Sequence, residues 1–193
     1  MVGFLLRTTL YPGLSSMVAG PLGEKFPLAD LVERIQNGER ILDARGLDHG
    51  LCGYAATLLS DHLKRPLVVV GSHESDARRL VQDLTFFARP GARIIRFPEV
   101  ETTPYGHLSP NRSVIMDVLS AQAQLTWGDP PDFLVTSSWS LARRYLAPEV
   151  ILDLSAMAHP GDTLDRKAFL RTLADGGYRA VRNVEDPGTF AVR

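Results

Sequence analysis

The sequence predicts an α/β domain built on a mostly parallel sheet, and three observations carry that prediction. Short apolar runs alternate with segments whose apolar residues recur every three or four positions, at the spacing of βαβ units. One run, PLVVVG at residues 66–71, is unbroken, as in a strand covered by helices on both faces. The chain has 193 residues, 45% apolar and 22% charged, which is enough for a real core and excludes disordered and fibrous architectures.

Each element follows from local pattern. Residues 27–38 (PLADLVERIQNG) place Leu28, Leu31, Val32 and Ile35 at helical spacing and stop at Asn37-Gly38. RILDA at 40–44 is a short strand, residues 46–53 a Gly-containing turn, and residues 54–63 a helix. The strand at 66–71 is followed by Ser72, a candidate cap for a helix whose Ala77, Leu80, Val81, Leu84 and Phe87 share one face. Residues 92–97 (ARIIRF) and 133–136 (FLVT) are two more strands, with a helix over 114–125 between them. Residues 98–110 (PEVETTPYGHLSP) hold three prolines and a glycine, and are expected to be an ordered loop, a position that often carries function. Ser138 is expected to cap a helix over 140–146.

The pattern changes near residue 150. VILDLSAM at 150–157 reads as a strand, and residues 165–173 as a helix with Ala168, Phe169 and Leu173 inward, ended by Gly176-Gly177. Residues 178–184 and 189–193 read as two strands joined by Glu185-Asp186-Pro187-Gly188, a hairpin signal. The expected organisation is an extension over 1–25, an α/β domain over 26–150, and the beginning of a small α+β domain over 151–193. The last strand breaks off without a closing element, so the chain is expected to be a fragment with an exposed strand edge.

Composition excludes several function classes. A net charge of −1 gives no bulk attraction for DNA or membrane, and no run approaches the roughly 20 apolar residues that span a bilayer. At the N-terminus, Arg7 follows the short apolar run and Pro12-Gly13 breaks the rest, so a signal peptide is not expected. A single Cys52 excludes a disulfide framework and paired-Cys zinc sites, and fits a cytoplasmic setting. His49, His62, His73, His107 and His159 fall in separate segments without metal-ligand spacing. Ser137-Ser138 lacks the Gly-x-Ser-x-Gly of a nucleophile elbow, and Asp43 is the one carboxylate expected to be buried. No catalytic residues, metal or cofactor are therefore expected.

Two stretches remain as candidate sites. The turn GLDHGLCGY (46–54) follows a strand and opens a helix, where a phosphate-binding loop would sit. With Gly50 aligned to the conserved glycine, Gly53 and Tyr54 occupy the places of the phosphate-gripping Lys and the Mg²⁺-binding Ser or Thr, so hydrolysis is not expected. The alternative kept open is a phosphate- or nucleotide-binding α/β enzyme using backbone amides of the Gly46–Gly53 turn. The second stretch, 164–193, has six basic residues (Arg166, Lys167, Arg171, Arg179, Arg182, Arg193) against four acids, interleaved with Phe169, Tyr178 and Phe190. Arginine and aromatic residues are enriched at binding hot spots.

Three segments carry a family resemblance. FPEVETTPYGHLSP (97–110) resembles the signature that follows the third strand in bacterial transcription-repair coupling factors (Mfd). GGYRAVRNVEDPGTFAVR (176–193) resembles that family's Gly-Tyr…Val…Gly-Glu-Phe…Arg segment, which the excision-repair helicase UvrB carries in variant form. KRPLVVVGSHESDARRLVQDLTFF (64–87) fits the strand–helix unit of the same module, and the three occur in family order from about residue 26 onward.

The resemblance implies a UvrB-like module: a degenerate helicase-type (RecA-like, P-loop) α/β domain without nucleotide hydrolysis, then the start of a domain that docks the repair protein UvrA. It implies that Arg193, matching the Arg that closes the family segment, contacts UvrA. In the whole family protein it implies RNA polymerase and double-stranded DNA as further partners and ATP with Mg²⁺ in motor domains that this chain lacks. Three departures stand out: Thr189 replaces the usual Glu, Val118 stands where an Arg is common, and the turn at 46–50 is one residue longer.

Overall fold

The computed structural model describes residues 28–47, 49–100 and 110–192, together with the backbone of Leu5–Arg7. Residues 101–109 of the expected loop, including Tyr105 and His107, and Arg193 lie outside the described residues. The fold is α/β, and all its strand pairs are parallel.

The centre is a three-stranded sheet in the order β3 (Leu67–Gly71), β5 (Phe133–Ser137), β4 (Ile94–Phe97). Strand β5 registers Phe133 between Leu67 and Ile94, and Thr136 between Val70 and Phe97. Successive side chains point to opposite faces, so β4 and β5 each feed two cores. On one face Phe133 and Val135 pack with Ala77 and Leu84 of α3 (Glu74–Phe87) and Ala56 of α2 (His49–Leu63). On the other, Ile95, Phe97 and Leu134 pack with Val118 and Ala121 of α4 (Arg112–Trp127). Val118, in the place of the family's common Arg, is 5% exposed, so an apolar residue suits the position.

A smaller cluster joins α1 (Ala29–Gln36) to β2 (Ile41–Asp43) and α2 through Val32, Ile35, Leu42 and Leu59. Strand β2 pairs with β1 (Leu5–Arg7), so residues expected only as an extension supply a strand. Beyond the sheet, Ser138–Leu141 forms the short helix α5, and α6 (Pro148–Leu154) lies against α4. Helix α7 (Arg166–Asp175) then leads to the two-residue strands β6 (Arg179–Ala180) and β7 (Thr189–Phe190).

Several expectations need correction. Residues 150–157 are not a strand: Pro148 occupies the first helical turn, where its fixed φ and missing N–H cost nothing, and α6 follows. The C-terminal strands are not an antiparallel hairpin but a parallel pair, with Arg179 N–H donating to Gly188 O and Val181 N–H to Phe190 O. Helix α2 begins at His49, five residues earlier than read, because the turn closes at Gly46 (φ +80°) and not at Gly53. Ser137, not Ser138, caps α5, accepting the Ser140 N–H at 3.2 Å, and α5 is one turn long. His73, not Ser72, stands at the α3 N-cap without a side-chain bond. Strand β3 leaves Val68 53% exposed, since in the described sheet it is an edge. Helix α7 buries no residue fully, and Ala168 faces solvent while Phe169 and Leu173 are half-buried.

Candidate functional site

The turn read from the sequence as a degenerate phosphate loop is built by β2, the Gly46 bend and the first turns of α2. Gly50 is exposed in the first turn, with no atom within 4 Å of a Cβ placed there. Gly53 is buried against α3: a Cβ there collides with the Asp83 Cβ and lies 3.3 and 3.4 Å from its carbonyl carbon and Cα. The absent side chain therefore lets α2 and α3 approach. Tyr54 is 38% exposed and meets Phe87 edge-on at 5.5 Å, which meets Phe86 at 4.9 Å. Its carbonyl accepts from Thr57 Oγ1 at 2.7 Å. Asp43 is not buried: its carboxylate is half-exposed and pairs with Arg45 at 3.0 Å.

In open parallel sheets, ligands bind beyond the carboxyl ends of the strands. Here that edge holds a polar network of the chain's own groups. Glu74, at the start of α3, accepts from Arg96 of β4, from Arg78 Nε at 3.0 Å and from the Glu99 N–H at 3.0 Å. Glu99 in turn accepts from Ser137 Oγ at 2.6 Å. Ser140 Oγ donates to Pro98 O at 2.9 Å and Ser138 Oγ to Ser72 O at 2.9 Å, tying the ends of all three strands together. Arg96 also faces Asp117 of α4 at 3.6 Å. Sequence reading missed this network, because its members are scattered from Ser72 to Ser140; the one local signal was the Ser pair directly after a buried strand.

At the opposite end of the sheet, Asp132 accepts from the Arg93 N–H at 2.7 Å and from Arg89 at 2.7 Å. The backbone donor, then the Arg89 guanidinium, hold its carboxyl below the usual range against the cost of desolvation. Among the described residues, no group of three or more His, Cys, Asp or Glu side chains is arranged to hold a metal. No helix of the described residues is long and apolar enough to cross a membrane.

The basic C-terminal stretch is presented by α7 and the β6–β7 pair. Asp165 caps α7, accepting from Lys167 N–H at 2.9 Å and Ala168 N–H at 3.1 Å. Between β6 and the loop to β7 lies an open cleft of about 300 Å³ lined by Arg179, Val181, Asn183, Glu185, Asp186 and Thr189. Thr189, in place of the family's Glu, donates to Asp186 O at 2.6 Å and so closes the turn. Gly188 (φ +74°) is buried against Arg112 and Met116 of α4, and Arg112 Nη2 donates to its carbonyl at 3.0 Å. The two segments of strongest resemblance, ending at Pro110 and starting at Gly176, are thereby joined through the residue two beyond the first of them.

A parallel α/β layer with helices on both faces and a glycine bend after β2 defines a module consistent with the RecA-like, UvrB-like class. Comparison with known proteins shows what the chain is similar to. The chain is 33% identical over 172 residues to a transcription-repair-coupling factor of Myxococcus xanthus, covering 86% of this chain and 14% of that protein. Proteins of the same name from Haemophilus influenzae (30% over 144 residues) and Escherichia coli (28% over 142 residues) match 75% and 72% of the chain and 12% of their own lengths. No protein-family model matches the chain. The chain is a homologue of the transcription-repair coupling factors, fitting an N-terminal part of them, and spans about one seventh of the length of the first of these relatives. The homology ties it to a family named for joining transcription to repair.

Proposed function

We propose that this chain serves transcription-coupled nucleotide excision repair as a protein-docking module that recruits UvrA and hydrolyses no nucleotide itself. The homology over 86% of the chain carries this reading. It is supported by the phosphate turn, where the position of the gripping Lys is Gly53, whose missing side chain serves the contact with Asp83. Without that Lys a principal source of charge stabilisation at the phosphates is gone. Arg193 is the proposed UvrA contact, a donor able to form charge-assisted, bidentate hydrogen bonds. In the whole protein, RNA polymerase and double-stranded DNA are the further partners, ATP and Mg²⁺ belong to the motor, and the setting is cytoplasmic.

Titration of purified UvrA against the immobilised chain tests the reading. Binding is expected, with Arg193→Ala weakening it by about tenfold or more, as for a truncated charged hydrogen bond. Absence of binding by the unaltered chain would refute the docking role. Thermal unfolding with millimolar ATP and Mg²⁺ is expected to show no shift. A stabilisation approaching the roughly 2.7 kcal/mol that a ligand gives at 100 times its Kd would instead establish nucleotide binding through the Gly46–Gly53 backbone.

A further inference from the structure

We infer that Arg112 is a positioning residue: a latch that fixes the β6–β7 pair against helix α4, and through it the surface offered to the docking partner. The second half of this statement rests on the docking role proposed above. The first stands on geometry alone.

The segment from residue 148 onward meets α4 near both ends. Near the C-terminal end, Trp127 Nε1 donates to Ser155 Oγ at 2.7 Å, just past α6. At the N-terminal end, Arg112 Nη2 donates to Gly188 O at 3.0 Å. Fifteen residues of helix separate the two attachments, roughly 22 Å at 1.5 Å per residue. Between them the chain runs out through α6 and α7, and then into β6. One attachment holds such an arm; the second sets its direction.

The Gly188 carbonyl is where the arm closes. Its two lone pairs take two donors, the Arg179 N–H of the β6–β7 ladder at 3.0 Å and the Arg112 guanidinium. The ladder and the latch thus share one oxygen. The backbone that carries Arg112 is fixed, because Asn111 caps α4 through the Ser113 N–H at 3.0 Å and starts the helix at Arg112. Gly188 could not be another residue without moving the latch: its φ is +74°, and a Cβ would sit 2.6 Å from Arg112 Nη2 and 3.0 Å from Met116 Cε. Substitution of Arg112 is therefore expected to loosen β6–β7 while sparing the sheet, whose cores Arg112 does not enter.

Hydrogen exchange followed by mass spectrometry, paired with UvrA titration, tests this on the full chain and on Arg112→Ala, Arg112→Lys and Gly188→Ala. In Arg112→Ala the amides of Arg179 and Val181 are expected to exchange about tenfold faster, the scale of one charged hydrogen bond. Amides of residues 67–100 serve as the internal control for folding and are expected to be unchanged. Arg112→Lys, which keeps one charged donor, is expected to recover part of the protection, and Gly188→Ala to mimic Arg112→Ala. UvrA affinity is expected to fall in the same order. Unchanged exchange at residues 179–181 in both Arg112→Ala and Gly188→Ala would overturn the latch. Faster exchange with full UvrA affinity would overturn the positioning role and leave the latch. If the unaltered chain does not bind UvrA, the docking role fails, and the exchange measurement still decides the latch.

Discussion

Replacing Gly50 and Gly53 one at a time by alanine is expected to move stability in opposite directions. Both lie in α2, and in a helix Ala is favoured over Gly by up to about 1 kcal/mol through reduced backbone entropy of the unfolded chain. At Gly50 nothing lies within 4 Å of the new methyl, so the gain survives, cut to about 0.5 kcal/mol near the helix end. At Gly53 the methyl strikes Asp83, and two of the three atoms it meets are backbone, which a rotamer change does not relieve. Overpacking of this kind costs about 1–3 kcal/mol, leaving a net loss of up to about 2 kcal/mol once propensity is counted. For a chain this long that is a fall in Tm of up to roughly 8 °C for Gly53→Ala against a rise of about 1–2 °C for Gly50→Ala. Thermal unfolding monitored by circular dichroism measures both. Equal shifts of the same sign would refute the reasoning, because they would mean the glycines act alike as loop residues and not as a free helix position and a helix–helix contact.

Two other predictions use the polar groups at the sheet's ends. Glu74→Ala removes the acceptor of Arg96, Arg78 and the Glu99 N–H, and is expected to cost about 1.5–3 kcal/mol in urea unfolding; Glu74→Gln, keeping one acceptor, should cost less. Asp132 has its carboxyl depressed by the Arg93 N–H and by Arg89, so its stabilisation is fully present above the unfolded value near 3.9 and is lost as pH falls through the lower folded value. Stability measured between pH 6 and 2 should therefore drop less steeply in Asp132→Asn than in the unaltered chain, and parallel slopes would contradict the assignment.

The α/β layer was legible because its signals are local. The apolar runs at 67–71, 94–97 and 133–137 and the helical faces of α3 and α4 each read correctly from short windows. What failed was where two local signals compete. VILDL has strand-forming side chains, yet Pro148 at the helix start and packing of Ile151 against α4 decide for helix. The Glu185–Gly188 turn reads as a hairpin, yet the two short strands run parallel, since the loop crosses over before Gly188 docks on Arg112. The site was less legible than the fold. Gly53 was singled out for the phosphate chemistry it lacks, while its contact with Asp83 depends on a helix thirty residues on. The Glu74–Arg96–Glu99–Ser137 network left only the Ser pair as a local signal and the Arg112 latch left none, because each joins residues that only the fold brings together.

The strand order carries a consequence for synthesis of the chain. Among the described residues, strands β3 and β4 do not bond to each other; each bonds to β5, which lies between them. About forty residues separate the end of β4 from the end of β5, so at a ribosomal rate of about 5–20 residues per second the first two strands wait some 2–8 seconds for the partner that unites them. During that interval α2 and α3 can already associate through Gly53 and shield one face of β3, while the β4 edge stays open. The strand order therefore makes Phe133–Ser137 the segment whose arrival joins β3 and β4 into one sheet.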